Sequence, residues 1–310
     1  MHDAGNRFAR KPGVTGRPER TDRPQVNTDK LMIVPSPSRR TEPLRPAIWP
    51  ARWQVLESEA DSAPGNMATD LALLDQAGDR GGAVLRTYDW SRPSISFGRN
   101  EPVRDAWDVD AMRSAGYDVV RRPTGGRALL HGPEVTYSVT LPLPRGVPWR
   151  DAYDAVNARL ADAIGRLGVP VTPIGTAAAP PVAPDGPACF AAPAAGELAV
   201  DGRKVAGSAV WRSPAAYLQH GAILLRDEQS ALARFRPADR APDAEVRAAG
   251  LTEFVPALVA ADVIRALHAA WSADASIGAW APPADEATAF RAARAVHHTT
   301  LVTPSWLWRR

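Results

Sequence analysis

Two residues of scarce type stand fifteen positions apart in the second half of the chain, Cys189 and Lys204. Cys189 is the only cysteine, so it cannot close an intramolecular disulfide and is either a small buried side chain or a working thiol. The thiolate is the nucleophilic form, and a free thiol titrates at about 8.5, so a neighbouring cation would raise the reactive fraction. The chain has only three lysines, Lys11, Lys30 and Lys204, against 34 arginines. Arg and Lys serve equally as solvated charges, yet a compact ammonium differs from a planar guanidinium where an acyl oxygen is gripped or a neighbouring group is tuned. A chain that takes Arg almost everywhere has kept Lys at 204, and Lys204 is therefore a candidate for such a site.

A second group lies upstream. Arg121-Arg122-Pro123-Thr124-Gly125-Gly126-Arg127 sets a glycine pair between two strands, where bare backbone can approach a ligand and flanking arginines can meet an anion. It is not a nucleotide P-loop, because no Gly-Lys-Ser/Thr follows and no helix starts there. His131 follows, with Glu134, Thr136, Tyr137 and Ser138 beyond it, and His220 lies on a later strand. Neither histidine has metal-site spacing, and one cysteine excludes a multi-cysteine zinc site.

These residues need elements to position them. Apolar periodicity predicts helices over 66–76, 103–114 and 151–167, and mostly helix over 244–295. Strands are predicted at 53–56, 83–87, 94–97, 117–122, 127–131, 135–141, 197–200, 203–211 and 217–225. Asp201-Gly202 is a two-residue hairpin signal that puts Lys204 just inside the returning strand. Residues 172–187 are nearly all Ala, Pro and Gly and run directly into Cys189. Many strands on short turns, with helices inserted and gathered at the end, predict an α+β domain with mixed, largely antiparallel sheets and flanking helices.

Charge distribution narrows the function classes. Residues 1–45 carry ten basic and five acidic side chains, leaving 27 against 29 in the rest. The basicity belongs to an Arg- and Pro-rich segment that reads as a disordered tail over 1–45, followed by one catalytic domain over 50–310, and no nucleic-acid partner is expected. No run approaches the roughly 18 apolar residues of a membrane helix, and no secretory h-region opens the chain, so a cytoplasmic protein without a membrane partner is expected.

The segment RRPTGGRALLHGPEVTYS (121–138) resembles the signature of the lipoate-protein ligase and octanoyltransferase family, whose catalytic domain is related to that of biotin protein ligases. CFAAPAAGELAVDGRKVAGSAVWRSPAAYLQHGAILL (189–225) resembles the family's second signature in order and spacing, and Asn66-Met67-Ala68 with Asp70, Trp90 to Gly98 and Pro304-Ser305-Trp306 match further elements. The resemblance spans 51–310 and implies a biotin/lipoate protein ligase-like fold. Cys189 before Phe190, Arg127 closing the glycine motif and Glu134 after the histidine are similar to the cysteine-dependent octanoyltransferases rather than to the ligases.

That resemblance implies an acyl-cysteine on Cys189 and an acyl-handling role for Lys204. It implies substrate contacts from Arg122, Gly125, Gly126, Arg127, His131, Tyr137, Ser138, Gly207 and His220. The implied donor is octanoyl acyl carrier protein, and the implied acceptor is a lysine of a lipoyl domain or of the glycine-cleavage carrier protein. No metal or cofactor is implied; ATP and Mg2+ enter only in the alternative of a lipoate-protein ligase working through a lipoyl-adenylate. A non-catalytic module that holds lipoyl domains is a third reading, from a different class.

Overall fold

The computed structural model describes residues 48–175, 196–237 and 248–309, except 274 and 283. The tail expected over 1–45 and the nucleophile expected at Cys189 lie outside the described residues. In chain order the elements are β1 (Arg52–Glu57), α1 (Ala63–Arg80), β2 (Val84–Tyr88), β3 (Ser94–Phe97), α2 (Val109–Ser114), β4 (Asp118–Arg121), β5 (Leu129–His131), β6 (Glu134–Pro142) and α3 (Trp149–Arg166). They continue with β7 (Thr172–Pro173), β8 (Leu198–Val200), β9 (Arg203–Arg212), β10 (Ala216–Leu224), α4 (Ala260–Trp271), β11 (Ser276–Ala279), α5 (Ala284–Leu301) and α6 (Pro304–Leu307), with 3-10 turns at Gln229–Phe235 and Leu251–Glu253.

The strands form an eight-stranded sheet of order β11-β1-β2-β6-β10-β9-β8-β7 and a three-stranded sheet of order β4-β3-β5. In the large sheet β1 runs parallel to β11 and β2, and every other neighbour pair is antiparallel. The α+β architecture with largely antiparallel pairing agrees with the sequence expectation. The period-two alternation of β6 sends Val135, Tyr137, Val139 and Leu141 into the main core, which α3 and α4 cover with Tyr153, Val156, Leu160, Ile164, Val263, Leu267 and Trp271. On the opposite face Ser138 meets α1, and α5 packs along α1. Against α1 on this face the polar residues of β6 and β10 converge.

Three predicted helices change on folding. α1 starts at Ala63 rather than 66, because Ser62 caps it by accepting from Gly65 N at 3.2 Å and Pro64 sits in its first turn. The helix expected from 103 starts only at Val109: Asp105 takes a positive φ of 63°, and the Asp108 side chain caps the Ala111 amide at 2.8 Å. The mostly helical stretch expected over 244–295 is instead α4, the strand β11 and α5, which runs on to Leu301. Gly278 and the proline pair 282–283 break the periodicity, and pairing of β11 with β1 gives the intervening backbone its partners.

Gly98 shows how tightly the two sheets are joined. A β-carbon there would lie 1.7 Å from the Gly126 carbonyl oxygen, and Arg99 N donates to Thr124 O at 2.7 Å, so the end of β3 is packed backbone to backbone on the glycine loop. Gly98→Ala is expected to lower stability by about 1–3 kcal/mol through this overlap. Gly165→Ala in α3, where an added β-carbon meets nothing within 4 Å, should be neutral or stabilising by about 0.5–1 kcal/mol. Paired thermal melts check both, and equal midpoints for the two variants would contradict the close approach.

Candidate active site

Asn66 and Asp70 lie one helical turn apart on α1, both fully buried. Asp70 is held at the middle of a polar cluster contributed by four elements. It accepts from Arg86 Nη1 of β2 at 2.7 Å, Tyr88 OH at 3.2 Å, Ser138 Oγ of β6 at 2.7 Å and His220 Nδ1 of β10 at 3.0 Å. Arg86 also reaches the Asn66 carbonyl and Oδ1 at 3.0 and 2.7 Å and Ser58 Oγ at 2.9 Å, so the guanidinium is nearly saturated. Burial alone would push the Asp70 carboxyl up; the Arg86 charge and the hydrogen bonds from His220 and Ser138 overcome it and hold the carboxyl below its usual value.

His220 follows from that. Burial disfavours the imidazolium and outweighs the pull of Asp70, whose charge Arg86 already answers, so the ring is held below its ordinary value and is neutral at pH 7. Nδ1–H then donates to Asp70, and Nε2 accepts the Thr124 hydroxyl at 2.6 Å, tying the glycine loop to β10. A second relay runs beside it: His131 meets Glu134 Oε1 through Nδ1 at 2.7 Å and Ser96 Oγ through Nε2 at 2.8 Å. Trp90 stacks on His131 with centroids 3.9 Å apart and donates through Nε1 to Thr136 Oγ1 at 2.8 Å. Arg122 completes the frame by donating to the carbonyls of Ser96, Gly125 and Arg127 and to Ser96 Oγ. Ser96 and Thr124 are fully buried and engaged, so each carboxylate–imidazole–hydroxyl chain orients walls rather than presenting a nucleophile.

Between the two relays lies a narrow pocket with a cavity volume of about 20 Å³. Its floor and walls are Met67, Tyr88, Ser96, Leu129, His131 and Thr136, each at most 7% exposed, and the half-buried Ser208, Ala209 and Gly221 form its rim. Arg122, His131, Gly207 and His220, all expected from the sequence, line it. Gly125 and Gly126 form the adjoining loop, and Gly126, at φ 83°, brings its α-carbon against the Arg122 guanidinium.

The other expected residues stand back from the lining. Ser138 supports Asp70 from beneath, and Arg127 is buried and offers its carbonyl to Arg122. Tyr137 points to the opposite face of the sheet, where its OH meets Ser208 Oγ at 2.7 Å and receives Gln219 Nε2 at 3.1 Å. Lys204 is also buried, its ammonium 2.7 Å from Glu197 Oε1. Gln219 and the Gly196 carbonyl share Asn157 of α3, at 2.8 and 2.9 Å, and Ser208 Oγ reaches the same Asn157. Sequence reasoning did not single out Asp70, Arg86, Ser96, Thr124 or Asn157 as site residues. The available signal was Asn66 and Asp70, two short polar side chains four apart on the apolar stripe of a helix.

The chain matches the lipoyl protein ligase A/B catalytic domain family over residues 62–271, and it belongs to that family. Relatives within it are octanoyltransferases: LipM of Symbiobacterium thermophilum is 42% identical over 56% of this chain and 65% of its own length, and LipM of Kyrpidia tusciae is 37% identical over 62% and 73%. The chain thus spans a little under two thirds of the first relative and more of the second. Among solved structures, lipoate-protein ligase A bound with ATP shares the fold at a TM-score of 0.66 and 20% identity, over 83% of this chain and 98% of that one. The bipartite lipoate protein ligase of Thermoplasma acidophilum, described with its E2 lipoyl domain, gives 0.67 and 19% over 84% and 97%. At these identities the likeness shows the fold.

The two shifted groups give a signed pH dependence. His220 binds its proton less readily in the fold than in the open chain, where it titrates near 6.5. Below that pH the unfolded state takes up a proton that the native state refuses; the contribution is complete above about 6.5 and is lost as the pH falls. Asp70 acts in the same direction at lower pH, below its ordinary 3.8. Melting midpoints should therefore fall between pH 7 and 5.5 in the wild type and fall less steeply in His220→Gln, whereas equal slopes would remove His220 from the account. Asp70→Asn, which leaves Arg86 buried without its counter-charge, should cost about 3–5 kcal/mol.

Proposed function

We propose that this chain is an octanoyltransferase of protein lipoylation, taking an octanoyl group from acyl carrier protein onto Cys189 and delivering it to a lysine of a lipoyl domain or of the glycine-cleavage carrier protein. The observation that carries this reading is the pocket between the His131 and His220 relays, with Met67, Tyr88 and Leu129 in its lining. An octanoyl chain laid from rim to floor, with the walls parting to admit it, would bury its six methylenes against Met67, Tyr88 and Leu129, worth roughly 5 kcal/mol at about 0.8 kcal/mol each. Its carbonyl end stays at the rim formed by Ser208, Ala209 and Gly221. Relatives 36–42% identical are octanoyltransferases, whereas the likeness to ligases is one of fold at about 20% identity, which favours transfer over ligation.

In this reading the Cys189 thiolate attacks the thioester carbonyl, the carbon–sulfur bond to the carrier breaks, and the carrier leaves as a thiol with a proton. The acceptor amine then attacks the acyl-cysteine, an amide forms, its proton is released and the thiol is regenerated. Thioester exchange is close to isoenergetic and the amide is favoured, so the route consumes no ATP and needs neither cofactor nor metal. Lys204 supplies positive charge at the carbonyl end and is held in one position by Glu197. Arg122, His131, Gly207 and His220 form the acyl slot with the Gly125-Gly126 backbone, while Arg127, Tyr137 and Ser138 fix those walls from behind. The reading goes with a cytoplasmic site of action; among the described residues no helix is long and apolar enough to cross a membrane.

Intact-protein mass after incubation with octanoyl-loaded carrier should show a stable octanoyl adduct without ATP, absent in Cys189→Ala; an adduct or turnover that requires ATP would select the ligase. Lys204→Arg is expected to cost roughly 3 kcal/mol, on the order of a hundredfold in transfer rate, because a longer planar cation cannot replace an ammonium enclosed at 1% exposure. Transfer rates beside an exposed control, Arg113→Lys, with melts to verify folding, check this, and near wild-type turnover would remove Lys204 from the acyl site.

A further inference from the structure

Three arginines, Arg99 beside the glycine loop and Arg104 and Arg309 by the C-terminal tryptophans, meet no carboxylate within ion-pair distance among the described residues. Each lies on an indole instead: Arg99 is 4.0 Å from the Trp211 ring and 5.4 Å from Trp306, Arg309 is 4.8 Å from Trp306, and Arg104 is 5.3 Å from Trp308. Burial and, after it, the Arg309 charge hold the Arg99 guanidinium below its ordinary value, so like charges are close enough to repel.

What gathers them is a buried side chain. Arg121 donates through Nη1 to the carbonyls of Gly98, Arg99 and Glu101 and through Nε to Leu307 O at 2.9 Å, while its own carbonyl receives Trp306 Nε1 at 2.7 Å. The 98–101 turn and α6 are thereby pinned to the same strand, which brings Arg99 and Arg309 onto the same Trp306 ring. The place is next to the pocket mouth: Arg99 N donates to Thr124 O, and Trp211 follows the rim residue Ala209 by two positions on β9, about 7 Å along the strand.

We propose that this arginine–indole face, Arg99, Arg104 and Arg309 over Trp211, Trp306 and Trp308, is the docking surface for the acidic protein carrier that brings the acyl thioester. The inference rests on the octanoyltransferase reading. Three cations that form no ion pair among the described residues are complementary to an anionic partner, and indole faces keep each guanidinium oriented while leaving its edge for carboxylates. Local charge distinguishes donor from acceptor. The acceptor's nucleophile is an amine, cationic in water, and is repelled here, whereas the donor thioester is neutral and its carrier is free to supply the anions.

The experiment measures first-half acylation of the full chain by intact mass, with octanoyl acyl carrier protein, octanoyl-phosphopantetheine and octanoyl-pantetheine as donors. In Arg99→Gln/Arg309→Gln the apparent KM for the carrier-bound donor should rise about tenfold and lose its dependence on ionic strength. Reaction with octanoyl-pantetheine should be unchanged, as should the KM for a lipoyl-domain acceptor. An equal loss with octanoyl-phosphopantetheine would move the recognised charge to the arm and overturn the surface. A loss with all three donors would make these arginines part of the acyl site, and a loss confined to the acceptor would give the face to the other partner; either result overturns the proposal. If the wild type accepts octanoate from no donor, the octanoyltransferase reading falls and the surface with it, whereas failure of the carrier-selective effect alone sinks only the surface.

Discussion

A carboxylate with almost no access to water holds this fold's polar interior together. Asp70 sits where α1, β2, β6 and β10 meet, and the Arg86 guanidinium beside it is what allows it to stay ionised there. A buried pair of this kind does not automatically stabilise a protein, because the desolvation of both charges offsets most of their attraction. Its value here lies in direction: each remaining lone pair of the carboxylate receives a donor from a different element, and those donors lock the register of the helix against the sheet. Removing either charge would leave the other exposed to the full penalty of an unpaired buried ion.

Order propagates outward from that pair. Because burial outweighs the pull of Asp70, His220 remains a neutral imidazole that accepts from Thr124, and Thr124 belongs to the loop that Gly98 packs against. The His131 relay repeats the pattern with Glu134 and Ser96 on the other side of the pocket. Two imidazoles thus line one slot together with Met67, Tyr88 and Leu129. Their polar atoms are turned into the protein, so the slot offers carbon surface to a hydrocarbon chain without leaving buried donors unanswered.

The same economy of orientation explains why several residues expected at the substrate lie one layer behind it. Ser138 and Tyr137 are consecutive on β6 and must point to opposite faces of the sheet, so one braces Asp70 while the other braces Ser208 and Gln219. Arg122, adjacent in sequence to the fully buried Arg121, spends its donors on two carbonyls of the glycine loop and on Ser96 of β3. A motif read along the chain collects residues that the structure distributes between wall and scaffold.

The sequence by itself determined the fold class, most strand positions, the hairpin at Asp201-Gly202 and the family, because these follow from local periodicity, turn chemistry and contiguous motifs. It also marked Lys204 by composition and His131 and His220 by motif. Tertiary structure alone decided the helix limits at Ala63 and Val109, the strand β11 in a stretch that reads as helix, and the pairing of Lys204 with Glu197. It alone made Asp70 central. The physical reason is separation along the chain: Asp70 lies 68 residues from Ser138 and 150 from His220, and no local pattern encodes a hydrogen bond across that distance. Capping, edge pairing and the balance between burial and counter-charge are settled only when distant segments have been brought into contact.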